Sequence, residues 1–299
     1  MPMPVTTNLF YARIADIVFR FSCKTAFDAT AAKFQGFGVA GSVAGQDVVD
    51  VEICDYLEPL ERVEHTFSAS ESDCANIHSW AVGRAADGRE FIEVNYHSQS
   101  PTKRVYALLH DANHVQVAYE GLSTKLVAYS FPFFNLLLSR LLLSRGGFLV
   151  HSSVVRNTRS EGLLFTAPSG TGKSTMANLW RSTRKGTVIN DDMLAVRLVG
   201  GKPVVYNIPM PYYVQTPRQA PLCAVFFLSQ SPQNTIQKVS GVLAMARFLS
   251  NVVQQPVDKE SVERLYTSVD NVVCHIPMYA LGFRPDRDVV SLIEDTLIQ

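Results

Sequence analysis

The stretch APSGTGKST, residues 167–175, decides the fold prediction for this chain. It follows a short apolar strand pattern, LLF at 163–165, and precedes a segment with helical spacing over about 174–184. Gly170 and Gly172 let consecutive backbone N–H groups turn toward one point, because no Cβ stands in the way. A strand, a glycine-bearing loop and a helix start in this order predict a phosphate-binding loop.

The side chains of this loop specify the expected ligand. Lys173 has the position of the lysine that reaches the β- and γ-phosphates of a nucleotide, and the Ser174 hydroxyl that of a Mg²⁺ ligand. A surface turn that happens to hold Gly-Lys-Ser is the alternative, but it would not require the flanking strand and helix. We therefore expect ATP with Mg²⁺. The predicted nucleotide-binding residues are Ser169, Gly170, Thr171, Gly172, Lys173, Ser174 and Thr175.

Two adjacent carboxylates, Asp191 and Asp192, follow an apolar strand pattern at 187–189. Bound Mg·ATP needs a second metal anchor, and an acceptor hydroxyl needs a base. Adjacent strand residues point to opposite faces, so the two carboxylates can serve different purposes, and a bend would let both converge. The alternative is a solvated pair that opens a turn or caps a helix.

Three further residues are candidates for the same site. His151 lies within a strand pattern expected beside the loop, although a lone histidine among apolar residues is more often a core histidine with its hydrogen bonds satisfied. Arg284 and Arg287 flank a Pro-Asp pair near the end of the chain. An arginine suits developing phosphoryl charge because it is permanently charged and forked. The alternative for both arginines is a solvated helix start.

The composition excludes several classes of protein. Lys plus Arg and Asp plus Glu both number 27 of 299 residues, so no overall field attracts nucleic acid or an anionic membrane. The five cysteines form no CxxC pair, which argues against a zinc cluster or disulfide framework and for a reducing cytosol. The start lacks a secretory pattern. The most apolar stretch, 126–150, contains Pro132, Arg140 and Arg145, which favours a buried helix and strand over a membrane span. We predict a cytoplasmic protein and leave its oligomeric state open.

The chain changes character near residue 129. Residues 1–128 are β-rich, with a strand expected at 11–21 and a polar loop at 58–73. Strands and helices alternate afterwards, with one strand expected at 148–156 and another at 272–279. We predict an α/β (α+β) protein with a β-rich N-terminal region, 1–128, and a nucleotide-binding domain, 129–299.

With these residues assembled, 129–299 resembles the HPr kinase/phosphorylase family and related ATP-dependent PEP carboxykinase-like proteins. The resemblance implies a P-loop domain with a mixed sheet, which also suits the hairpin expected directly after the acidic pair. It depends on HSS at 151–153, the loop at 167–175, LW at 179–180, NDD at 190–192 and IPMYALGFRPDRD at 276–288.

The resemblance also implies a role for each candidate. Asp191 would be the acid/base that takes the acceptor's proton, and Asp192 would join Ser174 on Mg²⁺. His151 would lie beside the acceptor or the transferred phosphate. The residues that would stabilise the transferring group are Arg284 and Arg287.

The sequence departs from the family in its substrate segments. It lacks the glycine- and isoleucine-rich second signature of HPr kinases and any carboxykinase substrate signature, so neither HPr nor PEP is the expected substrate. It is more similar to stand-alone HPr-kinase-like proteins of bacterial peptide-modification clusters, which implies transfer of the γ-phosphoryl of ATP to a Ser or Thr of a peptide or protein. A small-molecule kinase or PEP carboxykinase-like enzyme is the alternative. An ATPase or nucleotide-dependent switch is another, although no Asn-Lys-x-Asp guanine motif is present.

Overall fold

The structure is a computed structural model that describes residues 8–24, 35–40, 45–58, 60, 63–70, 77–97, 102–121, 132–210 and 218–298. The chain divides into two compact units. The first contains the described residues within 1–144, 209–216 and 255–261, and the second contains the others. The described residues form two mixed sheets and five α-helices, so the fold is of the mixed α+β type.

The first unit is built on an eight-stranded sheet with the order β1-β2-β3-β8-β7-β6-β5-β4. The contacts of β3 with β2 and β8 are parallel, and the other neighbours are antiparallel. Its elements are β1 (Asn8–Ile14), β2 (Ile17–Cys23), β3 (Val48–Cys54), β4 (Glu64–Ser70), β5 (Ile77–Arg84), β6 (Glu90–Tyr96), β7 (Thr102–Leu109), β8 (His114–Gly121) and α1 (Phe133–Leu143).

The single strand expected over 11–21 is two strands joined by a tight turn. The turn residues Ala15 and Asp16 have φ of 51° and 57°. Positive φ at both central residues is the geometry of hairpin turns that match the twist of the strands. Alanine gives no signal for such a turn because its Cβ disfavours this region, so the apolar run concealed the break.

The loop expected over 58–73 contains the edge strand β4. Its sequence shows little regular alternation of apolar and polar residues, because neither face of the strand is fully buried. Phe67, for example, is 39% exposed. The strand forms through its ladder with β5. Backbone pairing without a buried face leaves little pattern in a sequence.

Helix α1 carries a buried charge. Every residue of α1 is buried, and the Phe134 ring packs edge-on against Phe19 of β2 at 5.3 Å. Arg140 donates from Nε to Glu90 Oε2 at 2.8 Å and from Nη1 to the Gln255 carbonyl oxygen at 2.7 Å. A buried guanidinium requires such partners, since an unpaired charge away from water is costly.

The second unit contains a ten-stranded sheet. The main order is β12-β10-β11-β15-β14-β13-β9-β17, and β18 pairs with β15 and β16. Its elements are β9 (Gly147–His151), β10 (Ser153–Asn157), β11 (Gly162–Thr166), α2 (Lys173–Thr183), β12 (Gly186–Asn190), β13 (Met193–Val199), β14 (Lys202–Asn207), β15 (Gln219–Gln230), β16 (Thr235–Val239), α3 (Gly241–Leu249), β17 (Val252–Val253), α4 (Lys259–His275, which begins in the first unit), β18 (Met278–Phe283) and α5 (Asp288–Ile298).

Two expected strands of this unit have different bounds. The strand expected over 148–156 breaks at Ser152, where β9 ends and β10 joins other strands of the sheet. The strand expected over 272–279 is wrong in its first half, because α4 continues to His275 and β18 begins at Met278. Val269 and Val272 are fully buried on α4, so packing of this face outweighs the strand preference of valine.

The core of the second unit holds helix α2 against the sheet. Trp180 of α2 is fully buried in a cluster with Phe165 of β11 and Phe226 of β15. The rings of Phe165 and Phe226 stack with centroids 5.3 Å apart. Strand β11 and helix α2 flank residues 167–172, so this packing fixes both ends of the loop.

The predicted boundary between residues 128 and 129 lies in 122–131, outside the described residues. The first compact unit includes α1, which follows that boundary. None of the helices described is both long and apolar enough to span a membrane.

The buried ion pair of α1 predicts a large stability effect. We expect Arg140→Ala to lower the free energy of unfolding by about 3 kcal/mol, since it removes a buried partner of Glu90 and leaves a cavity. Arg20→Ala is the matched control, because Arg20 pairs with Asp50 on side chains that are 43% and 41% exposed. An exposed pair should cost less than about 1 kcal/mol. Urea unfolding followed by circular dichroism measures both, and equal losses would contradict the prediction.

Candidate functional site

Four strands of the second unit end at the same edge of the sheet. Strand β11 is parallel to β15, and β15 is parallel to β18. Strand β10 is antiparallel to both β11 and β12, so β12 runs in the direction of β11. The carboxyl ends of β11, β12, β15 and β18 therefore face one edge, and His151 lies at this edge because β10 starts there at Ser153. We call it the carboxyl edge.

The glycine-bearing loop, residues 167–172, leaves β11 at the carboxyl edge. Gly170 and Gly172 have φ of 78° and 118°, where a side chain is strained. A Cβ on Gly172 would lie 2.7 Å from Cζ of Phe283, so only glycine permits this approach to the end of β18. Helix α2 begins directly after Gly172, and its first N–H groups have no partner within the helix.

Lys173 is folded back onto this loop. Its Nζ donates to the carbonyl oxygens of Ala167 at 2.9 Å and Pro168 at 3.4 Å, and the residue is only 7% exposed. Burial lowers the pKa of the Lys173 ammonium, and the charge of Asp192 acts in the opposite direction. An ammonium has three donors, so one hydrogen of Lys173 is available to an anion on the loop. Ser169, Ser174 and Thr175 are exposed, and Thr171 is half-buried.

The acidic pair lies in a bend after β12, held by buried amides. The N–H of Asp192 donates to Oδ1 of Asn190 at 3.0 Å, and the carbonyl oxygen of Asp192 accepts from the N–H of Ser152 at 3.0 Å. Asn190 in turn donates from Nδ2 to Oδ1 of Asn207 at 2.7 Å. The bend turns Asp192 toward His151, and Asp191 is half-buried next to it.

His151 completes a charged group with Lys173 and Asp192. Its Nε2 lies 3.5 Å from Oδ1 of Asp192, on side chains that are 37% and 36% exposed. Burial lowers the pKa of His151, the Lys173 charge lowers it further, and the Asp192 charge raises it. Burial and the Lys173 charge therefore favour the neutral imidazole. Its backbone is held by Thr166, whose hydroxyl donates to the His151 carbonyl oxygen at 2.9 Å.

Arg284 and Arg287 follow β18 at the carboxyl edge, and both are exposed. The Arg284 side chain pairs with Asp286, and its N–H donates to Oδ1 of Asn234 at 2.8 Å. The Arg284 guanidinium holds the pKa of Asp286 below its usual range. No hydrogen bond or ion pair joins either arginine to His151, Lys173 or Asp192, so their predicted action on a transferring group stays a prediction.

The structure thus brings His151, Lys173 and Asp192 together, and it adds two residues that sequence reasoning missed. Asn190 was noted only as part of the NDD motif, and no sequence pattern around Asn207 indicated a role at the site. Their link joins the end of β14 to the end of β12 across 17 residues of sequence. An asparagine before two aspartates is a signal for a side chain that holds a turn, but its partner depends on tertiary structure.

Comparison with known proteins adds little to this geometry. No protein-family model and no curated protein matches the chain. Among solved structures, the chain is similar to one described as the Hpr(Ser) kinase/phosphatase from Coxiella burnetii, with 12% sequence identity, 50% of this chain and 93% of that chain covered, and a TM-score of 0.27. Values this low do not show a shared activity.

The charged group predicts opposite shifts in the pKa of His151. Lys173→Met should raise this pKa, because a neighbouring positive charge disfavours the imidazolium, and Asp192→Asn should lower it. Lys185→Met is the control, since Lys185 lies beyond the far end of α2 and pairs with Glu294. NMR titration of the imidazole signals measures all three. Shifts of the same sign in the first two variants would mean that the group is not assembled as described.

The amide link predicts that Asn207 holds the bend of the acidic pair. Asn207→Leu should speed hydrogen exchange of the Asp192 N–H by about tenfold, because Asn190 loses the partner that fixes its side chain. Asn157→Leu is the matched control, as Oδ1 of Asn157 accepts from the N–H groups of Arg159 and Glu161 in the β10–β11 turn. That control should leave exchange at Asp192 unchanged. An unchanged exchange rate of the Asp192 N–H in Asn207→Leu would show that Asn190 holds this N–H without its hydrogen bond to Asn207.

Proposed function

We propose that this chain is a phosphotransferase that moves the γ-phosphoryl group of ATP to a Ser or Thr hydroxyl of a peptide or protein. One observation carries the proposal: a buried lysine on a glycine-bearing loop lies within electrostatic reach of a carboxylate and an imidazole at the carboxyl edge of one sheet. Ligands of open sheets that contain parallel strands bind outside the carboxyl ends of the strands. The residues concerned are Lys173, Asp192 and His151.

The loop and Lys173 would hold the phosphates. The positive end of α2 and the N–H groups after Gly172 favour an anion at this point. Lys173 already donates two hydrogens to the loop, so its position is fixed before a ligand arrives. Its third hydrogen would go to the phosphate that is transferred. A donor that needs no rearrangement stabilises developing charge most effectively.

The residues present fit Mg²⁺. Ser174 supplies an exposed hydroxyl and Asp192 a carboxylate on a side chain that is 36% exposed, and both are the oxygen ligands that Mg²⁺ prefers. Mg²⁺ commonly keeps one or two protein carboxylates and takes its other ligands from substrate phosphates and water. When bound, it would neutralise charge on the phosphates. We assign Ser174 and Asp192 to it.

The transfer itself would use Asp191 as the base. The acceptor O–H gives its proton to the Asp191 carboxylate while the acceptor oxygen bonds to the γ-phosphorus. The bond from that phosphorus to the bridging oxygen breaks, and its electron pair leaves with ADP. His151 would donate or accept a hydrogen bond at the acceptor or the transferred phosphate. Positioning and charge stabilisation account for most catalysis of this reaction.

A peptide acceptor is favoured by the first unit. Strand β4 ends its sheet, and its described side chains are exposed or half-buried. An extended peptide can add to such an edge as a further strand. The resemblance to kinases of peptide-modification clusters points to the same class of acceptor, and small metabolites remain the rival class.

The test is whether ATP loss depends on an acceptor. We expect the full-length protein with Mg·ATP to label a mixture of Ser- and Thr-containing peptides, with little ATP loss when peptides are omitted. Lys173→Met should reduce labelling by at least about 10²-fold, because it removes a donor to the transferred group. Labelling with radioactive ATP and mass spectrometry identify the product.

Lys185→Met is the matched control and should retain full activity, since it replaces the same residue type at the other end of α2. Equal ATP loss with and without peptides would make the protein an ATPase. Label on a hydroxyl metabolite but on no peptide would make it a small-molecule kinase. Full activity in a folded Lys173→Met protein would remove the proposed phosphate site.

A further inference from the structure

The chain changes strand partners at a two-residue junction, His151–Ser152, in the second unit. Strand β9 ends at His151 and pairs with β13 and β17, whereas β10 begins at Ser153 and pairs with β11 and β12. His151 forms the last pair of its ladder, with Met193, and neither set of ladders continues across the junction. On its carboxyl side, His151 is therefore held by hydrogen bonds from outside the ladders.

Three separate segments supply hydrogen bonds to this junction. The N–H of His151 donates to the Asn251 carbonyl oxygen at 2.8 Å, and the N–H of Ser152 donates to the Asp192 carbonyl oxygen at 3.0 Å. The His151 carbonyl oxygen accepts from the Thr166 hydroxyl at 2.9 Å. Only the last of these three bonds comes from a side chain, so it is the one that a substitution can remove directly.

Thr166 joins the junction to the glycine-bearing loop. It is fully buried, it is the last residue of β11, and it pairs with Phe227 in the parallel ladder with β15. The next residue, Ala167, opens the loop, and its carbonyl oxygen accepts from Nζ of Lys173 at 2.9 Å. Two consecutive residues thus hold His151 and Lys173, so both are attached to the same end of one central strand.

Two further hydroxyls are buried at the junction, but they do not hold His151. Ser152 and Ser153 are both fully buried, and neither side chain has a hydrogen-bond partner among the described residues. Removing a buried hydroxyl that has no partner also removes the cost of taking it out of water. These serines therefore offer a control for Thr166, because they share its surroundings and lack its hydrogen bond.

We propose that Thr166 is a positioning residue for phosphoryl transfer, which holds His151 in place relative to Lys173 and to phosphates on the loop. The proposal rests on the proposed function and adds a residue that touches neither the phosphates nor the acceptor. Thr166 acts through the backbone of His151, whose imidazole then keeps the place from which it reaches the acceptor or the transferred phosphate. Reacting groups must be closely aligned, and a displacement of about 1 Å can reduce a rate by about 10²-fold.

Thr166→Val tests this role, because valine keeps the branched shape of threonine and lacks the hydroxyl. In the full-length protein with Mg·ATP and the peptide mixture, kcat should fall by at least about tenfold, and KM for ATP should change less than about twofold. A fall in kcat alone separates loss of His151 alignment from damage to the loop. Thr166→Ser keeps the hydroxyl donor and should retain kcat to within about twofold.

A double-mutant cycle tests whether Thr166 acts through His151. Thr166→Val should lower kcat no further in a His151→Ala protein, since the effects of residues that act as a unit do not add. Ser153→Ala is one control. Thr183→Val is the other, because it removes a hydroxyl that donates to the Trp180 carbonyl oxygen at 3.0 Å at the far end of α2. Both controls should leave kcat unchanged.

Hydrogen exchange supplies a measurement that needs no turnover. The N–H groups of His151 and Ser152 should exchange about tenfold faster in unliganded Thr166→Val, because the junction loses one of its three bonds. Thr166→Cys, with a weak donor of similar size, should have the same effect if Thr166→Val does not fold.

Unchanged exchange, additive losses of kcat in the cycle, or an equal loss of kcat in Ser153→Ala would overturn the positioning role. A rise in KM for ATP as large as the fall in kcat would also overturn it, since Thr166 would then support the loop itself. Absence of phosphoryl transfer by the unaltered protein would instead refute the proposed function, and hydrogen exchange would still decide whether Thr166 holds His151.

Discussion

The reversed direction of one strand, β10, organises the second unit. Because β10 is antiparallel to both of its neighbours, β11 and β12 run the same way and end at the same edge. The ladder fixes the register, with Ser153 opposite Phe165 and Val154 opposite Asn190. The loop, the acidic bend and His151 consequently meet without any long connection. A β10 parallel to its neighbours would bring His151 to the opposite edge.

Both burial and neighbouring charges shift the pKa values of the ionisable side chains at the carboxyl edge. Burial disfavours the ammonium of Lys173, and the carboxylate of Asp192 partly offsets that effect. The same two charges shift the pKa of His151 in opposite directions, and burial lowers it. Interactions among such groups are stronger than in water because the surroundings are less polar. The buried Asn190–Asn207 pair matters for this reason, because Asn190 holds the backbone of Asp192. A small movement of Asp192 would change its electrostatic interactions with both Lys173 and His151.

Gly170 and Gly172 of the loop line a cavity of about 530 Å³ that carries no charged side chain in its lining. Gly172 has a backbone conformation that side chains avoid, and its missing Cβ leaves room for the ring of Phe283. The loop therefore touches the end of β18, while the side chain of Lys173, the next residue, is folded back onto the carbonyl oxygens of Ala167 and Pro168. One short segment thus lies between the charged group and a cavity whose lining carries no charged side chain.

The sequence by itself determined the local features of this protein, since they depend on neighbouring residues. The loop at 167–172, the helix after it and the buried helix within 126–150 follow from glycine positions and apolar spacing, whereas the sequence left open whether the strand before the acidic pair bends. Short-range patterns did not reveal the turn at Ala15 and Asp16, the exposed strand β4 or the break at Ser152. Only the tertiary structure decided which distant residues meet: His151 with Asp192, Asn190 with Asn207 and Gly172 with Phe283. These contacts depend on strand order and direction, which arise from packing of the whole sheet and leave no mark on any single stretch of sequence.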